Sequence, residues 1–191
     1  MVRGFCLNHY RCFENGEERR SWQNPDVILT SIGLKPGFTF LDIGCGDGFS
    51  AIPAAKIVGE KGAVYGLDND EEAIDRLGER ARAEGLLNLR LKVGEAEETV
   101  LCKGCADIVF FGIVLHDFDS APKVLSNAKK MLKPDGRLVD LDWKKEPMSL
   151  GPPLRIRFSE AEAANLIEKV GLKIKTVNAS EPYHYIIVAR H

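Results

Sequence analysis

Apolar and polar positions along this chain fall into short blocks that alternate between two periods. Residues 38–43, Phe-Thr-Phe-Leu-Asp-Ile, form a compact apolar run that opens after the turn Lys35-Pro36-Gly37 and ends on a glycine, which is the pattern of a buried strand. Comparable runs recur at residues 63–67, 89–93, 107–111 and 136–143. Between them apolar residues return at helical spacing, over 49–58, 70–84 and 122–132; in the second of these Ala73, Ile74, Leu77 and Ala81 share one face and charges fill the other. Asn24-Pro25 offers an N-cap and first-turn pair for a leading helix through residue 32. Strands alternating with crossover helices predict one parallel sheet with both faces covered, which explains why the strands are apolar throughout.

The C-terminal third follows a different pattern. Ser159 and Glu162 form a capping box for a helix expected to stop at Gly171, and two strand-like runs, 172–178 and 183–189, then follow with no helix between them. A short turn containing Pro182 can join them only as a hairpin, so one of the two must run antiparallel to the rest of the sheet.

A length of 191 residues and an apolar fraction of 45% suit a single two-sided α/β domain, expected over residues 25–191, with residues 1–24 as an N-terminal lid or tail. The aromatic and cationic residues Tyr10, Phe13, Arg19 and Trp22 favour the lid. The formal charge of -2 disfavours a nucleic-acid partner. No secretory h-region and no run long enough to cross a bilayer is present, so no membrane insertion and a cytoplasmic location are expected. Five cysteines, an odd number, argue for free thiols. Cys102-Lys103-Gly104-Cys105 lacks the second pair a zinc site needs, although Cys6, His9 and Cys12 are distant candidates, and no metal site is expected.

The chemical signal is concentrated in Leu41-Asp42-Ile43-Gly44-Cys45-Gly46-Asp47-Gly48, where the first strand gives way to its helix. Glycines there permit positive φ and let a ligand approach the backbone, at the strand end where α/β sheets bind ligands. The spacing Gly-x-Gly-x-Gly departs from the Gly-x-Gly-x-x-Gly of dinucleotide sites. Asp42 just upstream would repel a phosphate and welcome a cation. This segment resembles the first motif of class I S-adenosylmethionine-dependent methyltransferases, and the order of elements from Trp22 to His191 is similar to theirs.

That resemblance implies a Rossmann-like, doubly wound, seven-stranded sheet of order 3-2-1-4-5-7-6, strand 7 antiparallel, with helices on both faces. It also implies S-adenosylmethionine as cofactor. Gly44 and Gly46 would then lie against its methionine part, and Gly48 would serve helix packing. Asp68, ending the second strand, has two oxygens to accept both ribose hydroxyls, with Asn69 beside it. Glu95 and Ala96 would meet the adenine, and the backbone at Gly112 would line the methionine end. His116, past the fourth strand, is the candidate base near the methyl group, since an unperturbed imidazole accepts protons near neutral pH. Arg155 and Arg157, in the proline-rich segment 144–158, are weaker candidates for meeting an acidic substrate. The expected activity is in-line methyl transfer to a small-molecule acceptor. The alternatives are a non-catalytic cofactor-binding protein and a nicotinamide-dependent oxidoreductase, which would need the glycine spacing that is missing.

Overall fold

The computed structural model describes residues 16–180 and 182–191. Tyr10, Phe13, Cys6, His9 and Cys12 lie outside the described residues. The chain runs α1 (Gly16–Trp22), α2 (Pro25–Ser31), β1 (Thr39–Ile43), α3 (Ala51–Val58), β2 (Ala63–Asp68), α4 (Glu71–Ala83), β3 (Leu89–Val93) and β4 (Ala106–Gly112). A 3-10 turn (Leu115–Asp117), α5 (Ala121–Met131), β5 (Leu132–Trp143), α6 (Glu160–Lys169), β6 (Lys173–Ser180) and β7 (His184–Arg190) complete it. The strands form one seven-stranded sheet of order β3-β2-β1-β4-β5-β7-β6. β1 pairs in parallel with β2 and β4, β4 with β5, and β2 with β3, whereas β7 is antiparallel to both β5 and β6. This is the topology expected from the motif resemblance.

Each central strand contributes to two cores. Phe40, Val64, Ile108, Phe110, Val139 and Leu141 pack with α2, α3 and α4, while their neighbours Leu41, Val109, Phe111 and Leu138 pack with α5 and α6. A strand buried on both faces has no position at which polarity is tolerated cheaply, and the continuous apolar runs follow from that. The outer strands β3 and β6 are largely exposed and carry Arg90, Lys92, Lys173 and Lys175, charges that discourage edge pairing.

Local chemistry sets most boundaries. Asn24 caps α2 by accepting hydrogen bonds from the Asp26 and Val27 N–H groups, and Asp70 caps α4 by accepting from Ala73 N–H. Two expectations are revised. β5 begins at Leu132, not at 136: Ala106 pairs with Leu132 and Ile108 with Arg137, so the Pro134-Asp135-Gly136 turn signal marks an irregularity inside the strand. A Cβ on Gly136 would lie 2.6 Å from the Ala106 carbonyl oxygen, so the close crossing there requires glycine. The second revision concerns the thiols. Cys102 and Cys105 are joined as a disulfide, their Cα atoms 6.0 Å apart, across a turn in which Gly104 takes φ +58° and its N–H donates to the Lys130 carbonyl. Cys45 is free and buried.

Among the described residues no helix is long and apolar enough to cross a membrane, and no group of three acidic, histidine or cysteine side chains is placed to hold a metal ion.

In α6 the Ser159 hydroxyl accepts from Glu162 N–H, and the Glu162 carboxylate accepts from Ser159 N–H at 2.8 Å. Ser159→Ala should cost about 1 kcal/mol and lower Tm by roughly 2–4 °C, measured by calorimetry, with the fold unchanged by circular dichroism.

Candidate functional site

The loop after β1 is tied to β2 by two hydrogen bonds, from the N–H groups of Gly44 and Cys45 to the Leu67 carbonyl at 2.8 and 3.1 Å. Gly44, Gly46 and Gly48 all adopt positive φ, each under a different constraint. A Cβ on Gly44 would lie 2.5 Å from Val114 in the loop after β4, and one on Gly48 would run into Leu77 of α4. Gly48 therefore serves helix packing, as expected. A Cβ on Gly46 would meet nothing within 4 Å, so the backbone there borders open space.

Two carboxylates flank this turn. Asp68, at the end of β2, accepts from Gly46 N–H through one oxygen (2.7 Å) and from Asp70 N–H through the other (3.0 Å). Both oxygens are thereby oriented while each keeps a lone pair for a further donor. Asp42 is 2% exposed, and its Oδ2 has no hydrogen-bond partner. Burial, reinforced by the charge of Asp68, pushes its pKa up to about 7 against the pull of Arg19 and the Ala51 N–H. The site thus holds a buried acid whose charge nothing fully satisfies.

Arg19 comes from α1. Its Nε donates to Gln23 Oε1 at 2.6 Å, and its guanidinium stands 3.8 Å from the centre of the Phe49 ring. Burial lowers its pKa to about 10, with Asp47 and Asp42 opposing that shift. α1 therefore carries a cation to the glycine turn, a role that sequence reasoning credited only to a general lid.

The loops after β2 and β3 meet in front of the same strand ends. Asn69 Nδ2 donates to both Glu95 oxygens, at 3.4 and 3.2 Å, and Gly94 N–H donates to the Asp68 carbonyl. Ala96 is buried, and its carbonyl and that of Glu97 are pinned by the side-chain amide of Asn127 in α5. Gly112 ends β4. The next residue, Ile113, has φ +62°, the one non-glycine residue in that region among those described. A β-branched side chain there costs on the order of 1–2 kcal/mol, and the turn it makes places Val114 against Gly44.

His116, in the 3-10 turn, is 3% exposed at its side chain. Its Nδ1 lies 2.8 and 2.9 Å from the two oxygens of buried Asp142, and its Nε2 lies 3.4 Å from Asp117, which is 59% exposed. Burial alone would lower its pKa. The hydrogen bond and charge of Asp142, with the charge of Asp117, prevail over burial and over Arg157, and raise it above 6.5. His116 is thus not the unperturbed imidazole expected from sequence. Asp142 and Asp140 were missed there. The alternating carboxylates of Val-Asp-Leu-Asp-Trp in an otherwise apolar strand were the available signal. Asp140 is fully buried with both oxygens unpartnered, and burial, then the Asp142 charge, push its pKa well up.

The segment 144–158 folds back over β5. Arg157 is 4% exposed and donates to the carbonyls of Lys144, Glu146, Leu150 and Pro152, so it clamps its own loop and is not available to a substrate. Arg155 stays exposed. Beneath this loop His184 packs against Trp143 and stacks on Trp22 of α1, with ring centroids 4.3 and 5.3 Å away.

A family model described as a methyltransferase domain matches residues 34–180. The fold superposes with a TM-score of 0.85 on the crystal structure of a SAM-dependent methyltransferase from Aquifex aeolicus, 32% identical, covering 90% of this chain and 92% of that one. The nocamycin O-methyltransferase of Saccharothrix syringae is 31% identical over 72% of this chain and 52% of its own length. The ubiquinone/menaquinone biosynthesis C-methyltransferase UbiE of Vibrio vulnificus is 28% identical over 90% and 64% respectively. The chain thus spans between half and two thirds of the length of these two curated relatives.

His184 provides a test of the electrostatics at the mouth of the site. Burial, then the charges of Arg19, Lys144 and Arg157, lower its pKa to about 3 from 6.5. A depressed folded pKa contributes stability that is present above pH 6.5 and lost as pH falls from there toward 3. Between pH 6.5 and roughly pH 5, wild type should lose about 2 kcal/mol more than His184→Phe, measured by urea unfolding.

Proposed function

Because the chain belongs to the class I S-adenosylmethionine-dependent methyltransferases, we propose that it transfers a methyl group in line to a nucleophilic atom of a small-molecule acceptor. S-adenosylmethionine is the family's methyl donor. The observation that carries the assignment to this site is Asp42: a buried carboxyl with an unpartnered oxygen, beside the open space at Gly46 and next to the two oriented oxygens of Asp68. A cationic ligand whose vicinal diol donates two hydrogen bonds matches that set of acceptors. The small-molecule acceptor rests on the activities that the names of the O-methyltransferase and C-methyltransferase relatives state, and on a net charge of -2 that provides no broad basic surface.

When bound, the cofactor supplies an electrophilic methyl on a sulfonium that needs no acid to leave. Asp42, Gly44, Gly46 and Gly112 hold its methionine end, Asp68 and Asn69 its ribose, and Glu95 and Ala96 its adenine. α1 covers the cleft and excludes water, Arg19 lying against Phe49 beside the glycine turn and Trp22 against His184. Alignment supplies most of the rate, on the order of 7 kcal/mol or more in favourable cases. The acceptor's single proton is relayed through Asp117, which takes it and passes it on, to Nε2 of His116, while Asp142 holds Nδ1 and so the orientation of the ring.

Calorimetric titration tests the pocket. S-adenosylmethionine and S-adenosylhomocysteine should both bind wild type, and Asp68→Ala should weaken each at least about tenfold, the loss expected for two charge-assisted hydrogen bonds. Asp42 has its pKa pushed up to about 7, and a cation placed beside it lowers that value, so binding of either ligand, both of which carry the α-ammonium of the methionine end, should release protons at pH 7. Asp42→Asn should abolish the release, read in buffers of different ionisation enthalpy. Binding of neither ligand, or of a nicotinamide dinucleotide in their place, overturns the assignment.

Turnover with an acceptor that loses a proton should rise with pH through a pKa above 6.5, because His116 must be neutral to receive it. His116→Ala should remove that inflection and cut kcat about 100-fold or more while leaving cofactor affinity intact. Weakened cofactor binding with an unchanged pH profile would assign His116 to structure.

A further inference from the structure

We propose a second ligand site, for the phosphate groups of a small molecule, in the groove where Arg137, Lys175 and Arg190 converge at the end of the sheet opposite the glycine turn. The groove, of about 370 Å³, lies between the carboxyl end of α2 and the β5–β7–β6 strands, and the hydroxyl-bearing Ser31 and Thr176 share its lining with Val188. Among the described residues no carboxylate lines it.

Strand register creates the cluster. Leu138 pairs with Ala189, so one antiparallel step further Arg137 comes opposite Arg190, and Arg190 pairs with Lys173 on its other side. Like charges directly opposite across strands are destabilising, and here three neighbouring strands place cation beside cation. Lys175 joins them because the β6–β7 register shifts between Ile174 and Thr176, which leaves Lys175 as the extra residue at the groove. Among the described residues none of Arg137, Lys175 and Arg190 has an ion-pair partner within 4 Å. The repulsion is felt at Arg137, whose pKa is lowered by burial and then by the charge of Arg190, with Asp107 opposing.

Arg137 is also preorganised. Its Nη1 donates to the Ile32 carbonyl at 2.9 Å, which holds the guanidinium at the groove without neutralising it. Two guanidiniums, an ammonium and two hydroxyls supply planar forks and point donors suited to a phosphate or diphosphate, and a dianionic or trianionic ligand would turn mutual repulsion into attraction. The compact groove, in a chain of net charge -2, favours a small molecule over a polynucleotide. The site involves none of the residues assigned to methyl transfer and stands independently of that assignment.

The test is titration of inorganic pyrophosphate into the full chain by calorimetry, with a thermal melt in parallel and sodium sulfate at matched ionic strength as reference. Wild type should bind pyrophosphate and melt higher in its presence than in sulfate. The double variant Lys175→Gln, Arg190→Gln should lose at least about tenfold in affinity while still binding S-adenosylhomocysteine as wild type does. These two side chains are chosen because Arg137 also holds the Ile32 carbonyl, so its loss would mix folding with binding. No binding at several millimolar pyrophosphate, or equal binding by wild type and variant, overturns the site; binding of a single-stranded oligonucleotide but not of pyrophosphate overturns the ligand class.

Discussion

A sheet covered on both faces leaves its strand ends as the places where backbone and polar side chains can meet a ligand, and that constraint organises this molecule. β1, β4 and β5 are buried above and below, so a polar group reaches open space only near their ends, and Asp42, Gly112 and Asp142 lie toward the carboxyl ends. There Asp42, Asp68, Gly112 and Asp142 converge from four strands that are distant in sequence but adjacent in space. The glycine turn depends on the same covering. Gly44 is required by the Val114 loop and Gly48 by α4, which leaves Gly46 to border the open space.

Charge at this end is held in two separate groups on opposite faces of the sheet. On the α3 side, Asp42 and Asp68 repel each other, and Arg19 provides a counter-charge from α1. On the α5 and α6 side, His116 is clamped between Asp142 and Asp117, while burial and the charge of Asp142 push the pKa of Asp140 up. Removing one member of such a pair leaves an uncompensated charge in a region of low dielectric, so these groups act as units. The first group suits recognition of a cation, the second the holding of a proton. The division follows from strand geometry, because successive residues alternate faces.

At the far end of the sheet, among the described residues, no carboxylate lines the cationic groove, and only Asp107 opposes the shift at Arg137. Arg137, Arg190 and Lys175 are brought together by register alone, and the face of β6 and β7 there lies beyond the edge of α2. One molecule thus presents a cation-seeking acidic end and an anion-seeking basic end, although its net charge is close to zero.

Much of this was legible in the order of residues. The period of the apolar pattern, the caps at Asn24 and Ser159, the glycine turn with Asp42, and the hairpin at Pro182 are local signals, set by the conformations that neighbouring residues permit, and together they determined the elements and the fold class. What only the tertiary structure decided depends on residues far apart in the chain. His116 has its pKa raised by Asp142, 26 residues away, and Arg157 turned inward because loop carbonyls surround it. Leu132 was drawn into β5 by pairing with Ala106, Cys102 met Cys105 across a turn anchored on Lys130 and Met131, and three cations met through cross-strand register. A pKa, a burial or an ion pair is a property of the surroundings, and those surroundings exist only once distant segments have packed.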